Sequence, residues 1–107
     1  NVMQHWRKRY ARQKKQKNAI KYILSQSSIK PPCEVTLTRI APRMLDAEDN
    51  LPSSLKASKD AVADFLVPGL QSGRADGDSR IKWLFKQEKG RVREYGLKIE
   101  LTPQDTL

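Results

Sequence analysis

In the first part of this chain, apolar residues recur at the spacing of a helix, among polar and basic residues. Residues 5–27 contain neither Gly nor Pro, and Trp6 and Tyr10 lie four residues apart. We therefore predict a first helix over this segment, apolar at its ends and cationic round its middle. Pro31-Pro32 is expected to end it and to begin an extended segment.

A period of two follows directly. Cys33, Val35 and Leu37 alternate with Glu34, Thr36 and Thr38 in a run rich in β-formers. The pattern predicts a half-buried strand over residues 33–40.

Helical spacing returns after the first acidic cluster. We predict a second helix that begins near Asn50, with Asp49 or Asn50 as its N-cap and Pro52 in its first turn. Pro68-Gly69 is expected to end it. Its predicted apolar stripe consists of Leu51, Leu55, Val62, Phe65 and Leu66.

The remainder of the chain reads as a loop over residues 71–80 and then a β-hairpin. The alternation after Ile81 and the alternation from Tyr95 to Leu101 predict its two strands, with residues 87–91 as the turn. Residues 102–107 are expected to be frayed. The order helix, strand, helix, strand, strand predicts an α+β fold, with helices packed on a small sheet, in a single domain over residues 1–107.

Composition adds a strong charge asymmetry. The net charge is +9, and residues 1–30 hold nine Lys or Arg and no acidic residue, while residues 31–107 hold twelve of each sign. No run of about 18 apolar residues suggests a membrane span, so we expect a cytoplasmic protein. Cys33 is the one cysteine, which excludes an internal disulfide and a multi-thiolate metal site and fits a buried strand position.

Two acidic clusters are the candidate chemistry. Residues 46–49 contain Asp46, Glu48 and Asp49, and residues 76–78 contain Asp76 and Asp78. Strand ends that converge would bring both clusters near one point, where Mg²⁺, or Mn²⁺ in its place, takes carboxylate and phosphate oxygens. Such a site beside a cationic surface indicates metal-dependent hydrolysis of nucleic acid. The competing interpretation is that these acids are ordinary helix caps and turn residues.

Basic residues supply the second half of that hypothesis. Cations of the first helix and of the hairpin tip are expected to contact phosphates without reading bases. A solvated helix face is the alternative. The candidate DNA-binding residues are Arg7, Lys8, Arg12, Lys14, Lys15, Lys89 and Arg91.

The remaining candidates are single residues. Lys56 either stabilises charge on the phosphate in the transition state or forms a surface pair with Asp60 four residues later. His5 is the one histidine, which excludes a His-rich metal site. Trp6, Trp83 and Tyr95 have a spacing that favours core packing over base stacking.

As a set, these pieces resemble the RusA family of Holliday junction resolvases, which is common in phages and prophages. The resemblance runs from about His5 to Leu101. It rests on Leu45-Asp46-Ala47-Glu48-Asp49-Asn50-Leu51, on Lys56, on Lys59-Asp60-Ala61-Val62-Ala63, and on Asp76-Gly77-Asp78-Ser79-Arg80-Ile81.

The resemblance implies a homodimeric, Mg²⁺-dependent endonuclease that nicks four-way DNA junctions. It implies that Asp46, Asp49 and Asp78 bind the metal and that Lys56 is the catalytic lysine. Two departures stand out. Ala47 occupies the position where the family often has its first aspartate, so either Asp46 or Glu48 takes that role, and the chain is expected to lack the family's N-terminal strand.

Two other functions stay open on the sequence alone. In the first, the acidic residues are helix caps and turn residues, and the chain is a non-catalytic basic nucleic-acid-binding module. In the second, the chain is a small basic scaffold or inhibitor that binds an acidic partner protein through the first helix.

Overall fold

The structure, a computed structural model, describes residues 2–7, 13–69 and 77–104, with the backbone alone for residues 2–7 and 13–17. Three helices and four strands form within these ranges. They are β1 (Val2–Arg7), α1 (Gln13–Ser25), β2 (Cys33–Ala41), α2 (Asn50–Ser54), α3 (Lys56–Leu66), β3 (Ile81–Lys89) and β4 (Gly96–Pro103).

The strands form one mixed sheet in the order β1-β4-β2-β3. β4 runs antiparallel to both of its neighbours, whereas β2 and β3 are parallel. Parallel neighbours need a crossover, and α2 and α3 supply it between β2 and β3. Since α1 packs against α3, the helices form a second layer, which confirms the α+β class.

The core lies between the helices and one face of the sheet. β2 contributes its alternate residues Cys33, Val35 and Leu37, as its period predicted, and all three are fully buried. Burial raises the pKa of the Cys33 thiol. The same cluster takes in Ile20, Leu24, Leu51, Leu55, Ala61, Val62, Ala63, Val67, Ile81, Leu97, Ile99 and Leu101.

The opposite face of the sheet is mostly polar, with Ile40 and Leu84 as its apolar residues among those whose side chains the structure describes. Thr38 of β2 is nonetheless buried there, at 4% exposure. Lys98 of β4 and Glu88 of β3 lie on either side of β2, and their side chains meet at 3.3 Å. Lys98 is the neighbour of Thr38 and Glu88 is the neighbour of Ile40, so this ion pair crosses β2 over these two residues.

The start of the chain differs from the prediction. His5 and Trp6 lie in β1 rather than in a helix, and the described helix begins at Gln13. The expectation that no strand precedes the first helix is therefore wrong. Good helix formers dominate this segment, but pairing of residues 2–7 with β4 overrides that local preference.

The predicted hairpin is also wrong, although both of its strands exist. β2 lies between β3 and β4, so these consecutive strands are not neighbours. Strand periodicity gives the elements but not their partners. The connecting loop also begins later than predicted, because β3 continues to Lys89.

The second predicted helix begins at Asn50 and ends at Leu66, before Pro68, but it is divided at Leu55 into α2 and α3. Phe65 is 37% exposed and therefore lies off the buried stripe. At the other end of the chain, β4 extends to Pro103, so residues 102–103 are paired rather than frayed. Residues 105–107 lie outside the described part.

Candidate metal and nucleic-acid site

The acidic turn, residues 46–49, is held to the sheet by its neighbour Leu45. The Leu45 N–H donates to Gln87 Oε1 at 2.9 Å, and Gln87 Nε2 donates to the Leu45 carbonyl at 2.6 Å. Gln87 lies near the carboxyl end of β3, opposite Arg39 of β2. The turn is therefore anchored at that end of the sheet.

Asp46 organises the start of α2. Its carboxylate accepts hydrogen bonds from the Asp49 N–H at 2.9 Å, from the Asn50 N–H at 3.2 Å, and from the Asn50 side-chain amide. The backbone amides of Asp49 and Asn50 hold the pKa of the Asp46 carboxyl below its usual range. Asp46 thus presents an ionised carboxylate and acts as a capping group at the same time.

Glu48 and Asp49 are exposed beside it. Asp49 occupies the N-cap position of α2, as predicted, but its side chain makes no capping hydrogen bond. Asp46 supplies that contact from three residues earlier. The turn therefore contains three acidic side chains within four consecutive residues, and that of Asp46 already accepts backbone hydrogen bonds.

Asp78 lies just before β3 and is paired with Arg80. Its oxygens accept bonds from the Arg80 backbone N–H at 2.9 Å, from Nε at 3.0 Å and from Nη2 at 2.9 Å. The Arg80 guanidinium and backbone amide lower the pKa of Asp78 to about 2, and the same pair raises the pKa of Arg80. Asp76 lies outside the described residues.

Within one copy of the chain, the two acidic clusters are not brought together. Asp78 precedes Ile81, at the amino end of β3, whereas the acidic turn is anchored at Gln87, six residues further along. At about 3.3 Å per residue this separation is roughly 20 Å. Mg²⁺ holds its ligand oxygens at about 2.1 Å, so carboxylates this far apart cannot share one ion.

The expectation that both clusters converge is therefore wrong for a single copy. The residues that the structure describes contain no group of three His, Cys, Asp or Glu side chains placed to hold a metal ion. The reason is topological: a loop that follows β2 and a loop that precedes a parallel β3 leave the sheet at opposite ends.

Lys56 is the first residue of α3, and its Nζ lies 3.2 Å from Asp60 Oδ1. The structure therefore contains the surface i,i+4 pair that the sequence allowed. The Lys56 side chain is 63% exposed and lies one short helix after the acidic turn.

The candidate DNA-binding cations divide into two groups. Lys89 and Arg91 are exposed where β3 ends, at the same end of the sheet as the acidic turn. Their loop is ordered by Glu94, whose carboxylate accepts the Arg91 N–H at 2.8 Å. Gly90 is required there, because an added Cβ would lie 2.8 Å from the Glu94 carbonyl oxygen.

The other candidate cations belong to the beginning of the chain. Arg7 lies in β1, and Lys14 and Lys15 lie in the first turn of α1. Lys8 and Arg12 lie outside the described residues.

One contact was not anticipated from the sequence. Lys59 Nζ lies 5.3 Å from the ring centre of Trp83 and 5.8 Å from that of Phe85. Trp83 packs against the core, as the packing interpretation predicted, but Tyr95 is 46% exposed, so that interpretation is wrong for Tyr95. Its indole N–H is buried and has no hydrogen-bond partner among the described residues.

Among the described residues no helix has the length and apolar character that crossing a membrane requires. Comparison with known proteins found no matching family model, no matching curated protein and no matching solved structure. The resemblance to the RusA family therefore rests on the sequence motifs alone.

Proposed function

We propose that the chain is a Mg²⁺-dependent endodeoxyribonuclease of the RusA type that cuts four-way DNA junctions. The observation that carries the proposal is the acidic turn, with its ionised Asp46, at the sheet end where Lys89 and Arg91 are exposed. A polyanion held by these cations would lie beside carboxylates, and a metal ion offsets the repulsion between the two.

The donor set suits magnesium. This ion is commonly held by one or two carboxylates, with water and substrate phosphate oxygens in its other positions, and Asp46 with Glu48 or Asp49 offers that number. A bound Mg²⁺ would polarise the scissile phosphate and lower the pKa of a water. In this arrangement Asp46 keeps the turn in place, Lys89 and Arg91 position the DNA backbone, and Lys56 offsets charge that develops on the phosphate.

The place of Asp78 follows from its distance. Since about 20 Å of β3 lies between Asp78 and the residue that anchors the acidic turn, a metal shared by both clusters requires two copies of the chain. We therefore propose a homodimer in which Asp78 of one copy serves the turn of the other. Its pairing with Arg80 keeps Asp78 ionised for that role.

The test is nicking of a labelled four-way junction in Mg²⁺, in Mn²⁺ and in EDTA. Asp46→Asn, Asp49→Asn and Asp78→Asn are each expected to lower the rate by more than the roughly 10- to 100-fold that outer-shell changes cost at metal sites. Glu100→Gln, an acid on the polar sheet face, is the matched control and should cleave normally. Undiminished cleavage by Asp78→Asn removes that residue from the site, and a wild-type chain that never cleaves removes the proposal.

A non-catalytic nucleic-acid-binding module is the second candidate. It is favoured by the structural duties that the carboxylates already perform, since Asp46 caps α2 and Asp78 pairs with Arg80. This function predicts salt-sensitive DNA binding that is equal in Mg²⁺ and EDTA, with no strand cleavage and no change in thermal stability on adding Mg²⁺.

A further inference from the structure

The outer edge of β3 has no neighbouring strand among the described residues. Its hydrogen-bonding phase is fixed at both ends: the Cys33 N–H donates to the Arg80 carbonyl at 3.0 Å, and the Gly90 N–H donates to the Ala41 carbonyl at 2.8 Å. In a parallel ladder the N–H and C=O of one residue point to the same side, and successive residues alternate. Even-numbered residues of β3 therefore bond to β2, and odd-numbered residues point outward.

Outward backbone groups make this edge a template for another strand. Trp83, Phe85, Gln87 and Lys89 each direct an N–H and a C=O away from the sheet. The Ile81 N–H is already taken by the Asp78 carbonyl at 3.2 Å, which marks the edge's beginning. An antiparallel strand centred on Phe85 would pair the outward N–H and C=O groups of Trp83, Phe85 and Gln87, and the Lys89 N–H would donate to the free Ile81 carbonyl.

The side chains of β3 are complementary to a second β3 in that arrangement. With Phe85 opposite Phe85, Lys82 of each copy stands opposite Glu88 of the other, in a position where the two backbones are not hydrogen-bonded and side chains approach most closely. Lys86 stands opposite Leu84, which is 38% exposed, and the lysine's methylene stem covers it. Charges and apolar surface thus match in both directions.

The two registers that differ from this one by a two-residue shift are penalised by like charges. Centring the pair on Leu84 sets Lys82 against Lys86, and centring it on Lys86 sets that lysine against itself. Like charges directly opposite one another are destabilising. Centring the pair on Gln87 sets Lys86 against Glu88, but only residues 85–89 of the two strands then overlap and fewer backbone groups pair. The charge order of β3 and the length of the overlap together therefore favour the register centred on Phe85.

We infer that two copies of this chain join edge to edge through β3, antiparallel and centred on Phe85, so that the four strands of each copy form one continuous sheet. The pairing itself needs neither DNA nor metal. The pairing also has a consequence for the metal site, and this consequence rests on the proposed function. The start of one β3 lies beside the end of the other, so Asp78 of the second copy lies near the sheet end that carries the acidic turn.

The experiment is sedimentation equilibrium of the whole chain in EDTA without DNA, over a concentration series. The wild-type chain is expected at twice its 12.3 kDa. Lys82→Glu and Glu88→Lys should each raise the dimer dissociation constant about tenfold or more, because each sets like charges opposite one another, which corresponds to at least about 1.4 kcal/mol. The double variant carrying both changes should restore the dimer. Glu100→Lys, on the interior strand β4, should leave it unchanged.

The register is tested by cross-linking. Leu84→Cys and Lys86→Cys chains should form an intermolecular disulfide when mixed and not when oxidised separately, because these two positions face one another only across the two copies. Cys33 is fully buried and does not compete. A monomeric wild-type chain, or a dimer indifferent to both charge reversals, overturns the inference. A dimer without nuclease activity would refute only the proposed function, and an active dimer that is indifferent to the charge reversals would refute only the pairing through β3.

Discussion

Gln87 holds Leu45 through both ends of its side-chain amide, at 2.9 Å and 2.6 Å. This contact between residues 42 positions apart ties the acidic turn to the carboxyl end of β3. It decides where the ionised Asp46 lies, and with it which other groups can act together with that carboxylate.

Removing this anchor should loosen the acidic turn. For Gln87→Ala we expect a loss of about 1–3 kcal/mol in the free energy of unfolding, because two hydrogen bonds are lost and the Leu45 backbone groups are left unpaired. Gln87→Glu keeps the acceptor for the Leu45 N–H and should lose less. Urea denaturation gives the stability, and hydrogen exchange should show faster exchange of the Asp49 and Asn50 amides. Unchanged exchange in Gln87→Ala would mean that the turn is held by other contacts.

The exposed cations at the end of β3 should set the salt dependence of DNA binding. Replacing Lys89 and Arg91 together by Gln removes two phosphate contacts, so the slope of log K against log salt should fall by about 2. Anisotropy of a labelled junction in EDTA measures this. Lys98→Gln is the control, because that lysine is engaged with Glu88 on the polar face. An unaltered slope in the double variant would place the DNA elsewhere.

A site built from two copies should show complementation. Asp46→Asn and Asp78→Asn are each inactive in the proposed mechanism, but a mixed dimer keeps one turn with Asp46 opposite one intact Asp78. With random pairing half of the dimers are mixed and half of their sites are intact, so about a quarter of the wild-type rate should return. Nicking assays on refolded mixtures test this. No recovery would mean that the two aspartates act within the same copy or not at all.

Acid should destabilise the fold partly through Asp78. Its pKa is lowered from 3.8 to about 2 by Arg80, so the carboxylate contributes stability above about pH 4 that is lost as the pH falls toward 2. The difference in unfolding free energy between wild type and Asp78→Asn should therefore shrink over this window.

The difference in unfolding free energy between wild type and Arg80→Gln should also shrink as the pH falls from about 4 toward 2. The reason is the same, because this substitution returns the pKa of Asp78 toward its ordinary value. Urea titrations at a series of pH values provide the measurement. A constant difference from pH 5 to pH 2 would show that the Asp78–Arg80 pair does not persist in solution.

Much of the local structure was predictable. The alternation of Cys33, Val35 and Leu37 defined β2, and the Pro-Gly pair after Val67 marked the end of α3, because burial period and backbone restriction are local properties. The cluster around Asp46 was likewise visible as a candidate, although the side chain that caps α2 is that of Asp46 and not that of Asp49 or Asn50. Gln87 could not be recognised, since nothing near it in sequence indicates a partner at Leu45.

By itself, then, the sequence determined the α+β class, the segments that form its main elements and the separation of a cationic beginning from acidic loops. Only the tertiary structure decided that Val2–Arg7 is a strand, that β2 lies between β3 and β4, and that Asp78 lies far from Asp46 within one copy. Strand pairing joins residues that are distant along the chain, and the free energy of that pairing depends on partners that no local pattern specifies.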